Sequence, residues 1–303
     1  MSKRLQFSLV YESVEMTPFA VILLFVGFTC ANSVYENTAY GYLQRYGVPA
    51  AERIRKAEEN VATSRIVGGS LAPTGQFKYQ AGLLISMVGS NGTGVCGASL
   101  LSANRLVTAA HCWYDGVNQA RLYVVVLGTV TLFSGGTRIA TGNVTTHPNW
   151  IPRYLRNDIA VIYLPRQVTF SSNIGPVALP SGSELREDFM GSIAMASGFG
   201  LTSDGSMIRS NQSLSYVNLT VISNELCSVY YAILLQSSNI CTSGYRGTGA
   251  CRGDSGGPLV TISNKRPVLI GVVSFGSVLG CEINFPSAYT RVSSFISFIN
   301  QHL

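Results

Sequence analysis

Charge is scarce in this chain. Asp, Glu, Lys and Arg make up 12% of its 303 residues, about half the share of an ordinary soluble domain. A chain kept unfolded by polarity and repulsion is therefore excluded. The net charge is +6, yet no run of Lys or Arg is longer than two residues, so there is no basic stripe for nucleic acid. Histidine occurs three times and C-x-x-C not at all, which removes the usual zinc signatures. The N-terminal apolar run is too short for a bilayer span of about 20 residues. Glycine is plentiful, at 31 residues, and 47% of the chain is hydrophobic. Glycine among many Val, Ile, Thr and Tyr points to strands joined by tight turns. The length suits two domains of about 150 residues, or one large all-β domain.

Ala20 to Phe28 reads AVILLFVGF and is followed by small residues at Thr29 and Ala31. This is the pattern of a signal peptide, with cleavage expected after Ala31. Glu12 and Glu15 are unusual ahead of such a core, and Met16 is read as the true start, with residues 1–15 an extension. Removing residues 1–31 takes Cys30 with it. Six cysteines remain, Cys96, Cys112, Cys227, Cys241, Cys251 and Cys281, an even set that suits a secreted, disulfide-bonded protein and allows 15 pairings. Asn91, Asn143, Asn211 and Asn218 are sequons open to glycosylation in the same compartment.

Composition shifts between residues 32 and 65. Ala51 to Asn60 is mixed in charge, favours helix and has no cysteine. After Ser64-Arg65-Ile66-Val67-Gly68-Gly69 the chain turns to short strand-like runs: 81–87, 105–109, 122–127, 159–163, 192–196, 259–262 and 268–275. Many short strands at this spacing predict a sandwich or barrel. Val292, Phe295, Ile296 and Ile299 recur at helical spacing, so 292–303 is predicted to be helical.

Three segments carry chemistry. Thr108-Ala109-Ala110-His111-Cys112 ends one strand, Asp158-Ile159-Ala160-Val161 begins another, and Gly253-Asp254-Ser255-Gly256-Gly257-Pro258 is a glycine-rich loop between cysteine-bearing runs. A serine hydroxyl is a weak nucleophile at neutral pH. It needs an adjacent base, and the base needs an acceptor that fixes its tautomer. The glycines allow backbone N–H groups to turn toward a developing oxyanion. Taken singly, Asp158 reads as a strand cap and Ser255 as a turn residue; their order and company promote them.

With these strings the chain, from Ile66 to Leu303, resembles the chymotrypsin-fold serine proteases, and within them the brachyurin-like collagenolytic gut proteases of arthropods. The SFGS-x-x-GC run from Ser274 to Cys281 and the CTSG run from Cys241 to Gly244 carry the second likeness. The resemblance implies an all-β fold: two six-stranded Greek-key barrels, 66–185 and 186–303, with a C-terminal helix and the active site in the cleft between them. It implies His111 as general acid and base, Asp158 as its orienting partner, Ser255 as nucleophile, and the N–H groups of Gly253 and Ser255 as oxyanion hole. It assigns Ser274 to support of Asp158 and of the strand that pairs with substrate. Phe275 stands where the family usually has Trp. The implied disulfides are Cys96–Cys112, Cys227–Cys241 and Cys251–Cys281, each stabilising by about 2–4 kcal/mol.

By the same resemblance, residues 32–65 form an activation propeptide. Cleavage after Arg65 by a trypsin-like protease frees the Ile66 amine to pair with Asp254. With no cysteine to tether it, the propeptide is expected to diffuse away. Many family precursors restrain the resting Asp with a His two residues before the first barrel cysteine. Gly94 occupies that place here, so Asp254 must be restrained otherwise. The substrate pocket falls on Gly249 at its floor, Ala250 beside it, Ser287 across it and Gly276 at its entrance. It is neutral and suits Phe, Tyr, Leu or Met. Glu282 is the nearest acid and is read as a solvated loop charge. Between Asp115 and Asp158 there is no carboxylate, so the acidic calcium loop of trypsin-like relatives is missing and neither metal nor cofactor is expected. The reading is a secreted, monomeric digestive endopeptidase acting on proteins or peptides and open to protein inhibitors. It has no nucleic-acid partner and no membrane attachment once the signal is removed. An inert protease-like binding protein and a narrow cascade protease are the alternatives.

Overall fold

The computed structural model describes residues 37–59, 70–205 and 213–303. The expected signal peptide with Cys30, the Arg65–Ile66 bond and the Asn211 sequon lie outside the described residues. Residues 37–303 form one unit. It opens with a helical turn, Leu43–Gly47, and helix α1, Val48–Glu59. Fourteen strands follow: β1 Ser70–Leu71, β2 Gln80–Met87, β3 Thr93–Ser102, β4 Arg105–Thr108, β5 Ala120–Leu127, β6 Thr137–Thr141, β7 Val144–Thr146, β8 Ala160–Tyr163, β9 Ile193–Gly198, β10 Ser215–Ile222, β11 Asn239–Thr242, β12 Pro258–Ser263, β13 Arg266–Phe275 and β14 Ser287–Arg291. Helix α2, Asn224–Tyr231, lies between β10 and β11, and α3, Ile296–Gln301, closes the chain after the turn Val292–Phe295.

The strands form two antiparallel barrels. One runs β6-β5-β2-β3-β4-β8-β7. Its end strands are two halves of a single bent strand. The break at Gly142-Asn143 swings the chain from pairing with β5 to pairing with β8, and the Thr141 hydroxyl covers the corner by donating to the Tyr163 carbonyl (2.7 Å). Counted this way, the first barrel has six strands. The second runs β10-β11-β14-β13-β12-β9 and closes through β9–β10, with two-residue β1 added on β10. Apolar side chains fill both barrels. Leu83, Ile85, Leu100, Leu106 and Val125 pack in the first, and Leu219, Val221, Ile240, Leu259, Ile270 and Tyr289 in the second. Asn91, Asn143 and Asn218 are exposed.

Helix α1 extends the first core. Ala50, Ile54 and Ala57 recur at helical spacing and are buried with Ala51, while Glu52, Arg55, Lys56 and Glu59 face solvent. The small residues bring the helix close to β3. Glu58 anchors its end, its carboxylate accepting the N–H groups of Leu132 and Phe133.

Candidate active site

Strand register brings the first two site residues together. In the β4–β8 ladder Thr108 faces Ala160. The strands are antiparallel, so His111, three residues past Thr108, and Asp158, two residues before Ala160, emerge at the same end. His111 sits in a single helical turn, Ala110–Cys112, that the Cys96–Cys112 disulfide ties to β3. Its Nδ1 is 2.7 Å from Asp158 Oδ2, and its backbone N–H donates to Asp158 Oδ1 at 2.9 Å. The Ser274 hydroxyl donates to Oδ2 at 2.6 Å, and the Thr290 hydroxyl to the Asp158 carbonyl at 2.7 Å. Both His111 and Asp158 are buried. A buried carboxylate without donors is costly; this one receives three. The arrangement fixes the imidazole plane and directs Nε2 into the cleft.

Ser255 comes from the second barrel, on the loop leading into β12. Its carbonyl accepts Gly97 N–H at 2.7 Å, which locks the loop to β3 of the first barrel. Gly256 must be glycine there: its φ is +79°, and a Cβ would lie 2.2 Å from Thr108 Oγ1 and 2.5 Å from the Gly97 carbonyl. Gly253, at φ +101°, turns its N–H into the cleft. The other two disulfides are Cys227–Cys241 and Cys251–Cys281. The last joins the Ser255 loop to the segment after β13.

A cavity beside Ser255 is bordered by Ala250, Cys251, Val273 to Gly276, Cys281, Pro286 and Ser287. Its walls carry no acid. A Cβ on Gly276 would meet nothing within 4 Å, so the entrance is open, and Phe275 is buried edge-on against Tyr231. Gly249 sits behind this wall with its α-carbon toward Ser287; a Cβ there would lie 2.6 Å from the Ser287 hydroxyl, which also accepts Ala250 N–H at 3.2 Å. Gly249 borders a second cavity, lined also by Gly198, Gly200, Val217 and Asp254. The Asp254 carboxylate accepts the N–H groups of Gly200 (2.8 Å) and Cys251 (3.0 Å). Burial outweighs these two bonds and pushes its pKa up to about 6. Glu282 is exposed, accepts Asp204 N–H at 2.7 Å and borders the Gly249 cavity rather than the one beside Ser255.

Two clusters have metal-like proximity, Cys96 with His111 and Cys112, and Asp204 with Cys251 and Cys281. Their cysteines are in disulfides and offer no thiolate.

The cleft contains residues that the sequence did not single out. The chain from Asn37 to Gly47 runs through it. Tyr42 is fully buried, its ring edge-on to His111 with centroids 4.9 Å apart. Its hydroxyl accepts Gly253 N–H at 3.2 Å and donates to the Val95 carbonyl at 3.0 Å. His111 Nε2 has no hydrogen-bond partner. Leu43 covers Gly94, where its Cδ2 would stand 3.7 Å from a Cβ.

The trypsin family model matches residues 66–299. The chain belongs to the trypsin family. Among curated members of that family, collagenase of Hypoderma lineatum is 38% identical over 239 residues, covering 78% of this chain and 87% of the relative. Brachyurin of Leptuca pugilator is 37% identical over 237 residues, covering 77% and 96%. Serine protease 1 of Drosophila melanogaster is 34% identical, covering 78% and 85%. A solved structure of HL collagenase superposes with a TM-score of 0.70 at 36% identity, over 78% of this chain and 98% of that one. The trypsin-family match begins at Ile66, so the segment in the cleft precedes it.

Proposed function

We propose that this chain is the precursor of a secreted digestive serine endopeptidase, activated by a trypsin-like protease that cuts after Arg65. The observation that carries the reading is the buried His111–Asp158–Ser274 network with the Ser255 hydroxyl and Gly253 N–H at its mouth. In the mature enzyme Ser255 Oγ attacks a peptide carbonyl and His111 Nε2 takes its proton. Asp158 holds the proton on Nδ1 and stabilises the imidazolium. The N–H groups of Gly253 and Ser255 receive the oxyanion, His111 returns its proton to the leaving amine, and water repeats the sequence on the acyl-enzyme.

Activation fits the cavity at Asp254. A buried carboxylate with a raised pKa is a site prepared for a cation, and the freed Ile66 ammonium supplies one. The cavity beside Ser255 has no acid to pair a basic side chain, has Arg252 on its border, and favours large apolar side chains before the scissile bond. The mature enzyme is a monomer that acts on protein or peptide substrates and is open to protein protease inhibitors.

The test is activation with immobilised trypsin followed by profiling on a peptide library. Cleavage after Phe, Tyr, Leu or Met is expected, with no activity in Ser255→Ala. Arg65→Gln is expected to remain folded and inactive after the same treatment. A preference for Arg over Phe in kcat/KM would overturn the pocket reading, and full activity of Arg65→Gln without a new N-terminus at Ile66 would overturn the activation step.

A further inference from the structure

We propose that residues 37–59 are an active-site ligand of the mature enzyme: the segment blocks the cleft in the precursor and, once cut free, still binds there as a competitive inhibitor. The proposal rests on the protease reading above and adds a ligand to that site.

The segment takes up two backbone donors that a substrate would use, Gly253 N–H and Gly276 N–H, without presenting a bond to cut. Tyr42 places a phenol oxygen, rather than a peptide carbonyl, on the Gly253 N–H. Among the described residues His111 Nε2 is left without a hydrogen-bond partner. No hydrogen bond therefore joins the base to the Ser255 hydroxyl. Along the substrate-pairing strand, Gly276 N–H is met by the Thr38 hydroxyl (3.1 Å), not by a main-chain carbonyl. Among the described residues no backbone–backbone bond joins 37–47 to 274–276. Ala39 is buried against Leu155 and Phe275. The segment fills the cleft but is not threaded as a substrate.

The contacts are extensive enough to outlast the covalent link. Leu43 N–H donates to the buried Asp115 carboxylate at 2.8 Å. Ile54 packs on the oxyanion loop, its Cδ1 3.6 Å from where a Gly253 Cβ would stand. Glu58 takes two backbone N–H groups of the first barrel. The barrel-side partners lie between Gly94 and Gly276, within the portion that remains after cleavage at Arg65. The diffusing-away expected of a propeptide without cysteine is thus governed by affinity. The segment also carries Arg45, Arg55 and Lys56 on its exposed side, so a trypsin-like activator can destroy it once it is released.

The experiment adds a synthetic 37–59 peptide to the activated enzyme after the immobilised trypsin has been removed. Initial rates are measured on a small chromogenic peptide. Competitive inhibition in the micromolar range is expected, and Tyr42→Ala in the peptide should weaken it by about 30-fold, the loss typical of truncating a buried aromatic anchor. Labelled peptide should also bind Ser255→Ala protein cut at Arg65, with the same loss on Tyr42→Ala. No inhibition and no binding at about 100 µM peptide, or inhibition indifferent to Tyr42, overturns the proposal. If the cut protein hydrolyses nothing, the protease reading fails instead, and binding to the Ser255→Ala protein still decides this one.

Discussion

Raising pH from 4 to 7 should destabilise the uncut chain as the buried Asp254 carboxyl loses its proton. The Asp254 carboxyl titrates near 3.8 when exposed and near 6 in the folded chain, because burial penalises the charge more than the Gly200 and Cys251 N–H groups compensate it. Between those values the folded state holds a proton that the unfolded state has lost. Stability therefore falls as pH rises through the window, and the penalty is complete above the folded value. The displacement is worth about 3 kcal/mol. Urea unfolding of Arg65→Gln at intervals from pH 4 to 7, beside Arg65→Gln/Asp254→Asn, isolates it. Glu58, raised by burial, and Glu184, lowered chiefly by its bond from Ser263, titrate alike in both proteins and cancel. The aspartate protein should lose about 2 kcal/mol more between pH 4 and 7 than the asparagine protein, because part of the penalty is already present at pH 4. Parallel curves, within about 0.5 kcal/mol, would show that Asp254 is solvated or already paired, and the account of a site prepared for the Ile66 ammonium would fall.

Substitutions in the activated enzyme test the cleft. Asp158→Asn should lower kcat by about 10⁴-fold with KM little changed, because an amide no longer fixes the His111 tautomer; Ser274→Ala, which removes one of three donors to that carboxylate, should cost far less, and stopped assays on a chromogenic peptide separate the two. Gly249→Asp should move cleavage toward Lys and Arg only weakly by itself, since the new Cβ meets the Ser287 hydroxyl at 2.6 Å; adding Ser287→Ala should strengthen the shift in a peptide-library profile, and an unchanged profile in the double variant would show that Gly249 does not face the substrate.

Local pattern made much of the fold readable. The runs at 81–87, 122–127, 259–262 and 268–275 became β2, β5, β12 and β13, and 292–303 became a turn followed by α3. Strand β3 escaped because its sequence, TGVCGASLLS, lacks alternation and strong strand formers. It is buried on both faces, from Gly94 to Leu100, and small residues are required where Gly97 meets Gly257. Helix α2 escaped for a related reason: only Cys227 and Tyr231 face inward, and its start depends on the Ser223 hydroxyl accepting Leu226 N–H. His111, Asp158 and Ser255 were legible because short strings with narrow chemistry hold them. Tyr42 was not. It meets Gly253 across 211 residues of chain, and nothing around Tyr40-Gly41-Tyr42-Leu43 marks a tyrosine as belonging to a cleft. The amphipathic stripe of Ala50, Ile54 and Ala57 was the available signal, since a helix with one buried face must have a surface to cover.

The costly part of the catalytic apparatus is built when the chain folds. A buried carboxylate with three donors and a fixed imidazole are in place before any bond is cut. On the proposed activation route control rests on two elements, the Asp254 site that the Ile66 ammonium would fill and the Tyr42 hydroxyl on the Gly253 N–H. In the proposed activation, cleavage at Arg65 acts differently on each. It creates the ammonium outright. It does not remove Tyr42; it only lowers the concentration of the segment around the cleft. A short flexible tether holds a ligand at roughly millimolar effective concentration, whereas a released one is governed by its bulk concentration. A micromolar ligand saturates the site in the first case and leaves it on dilution in the second. Onset of activity is then set by dilution and by destruction of the segment at Arg45, Arg55 and Lys56, as well as by the cut itself. On that reading the uncut chain has a margin against premature cleavage wherever the released segment stays concentrated, and none after dilution.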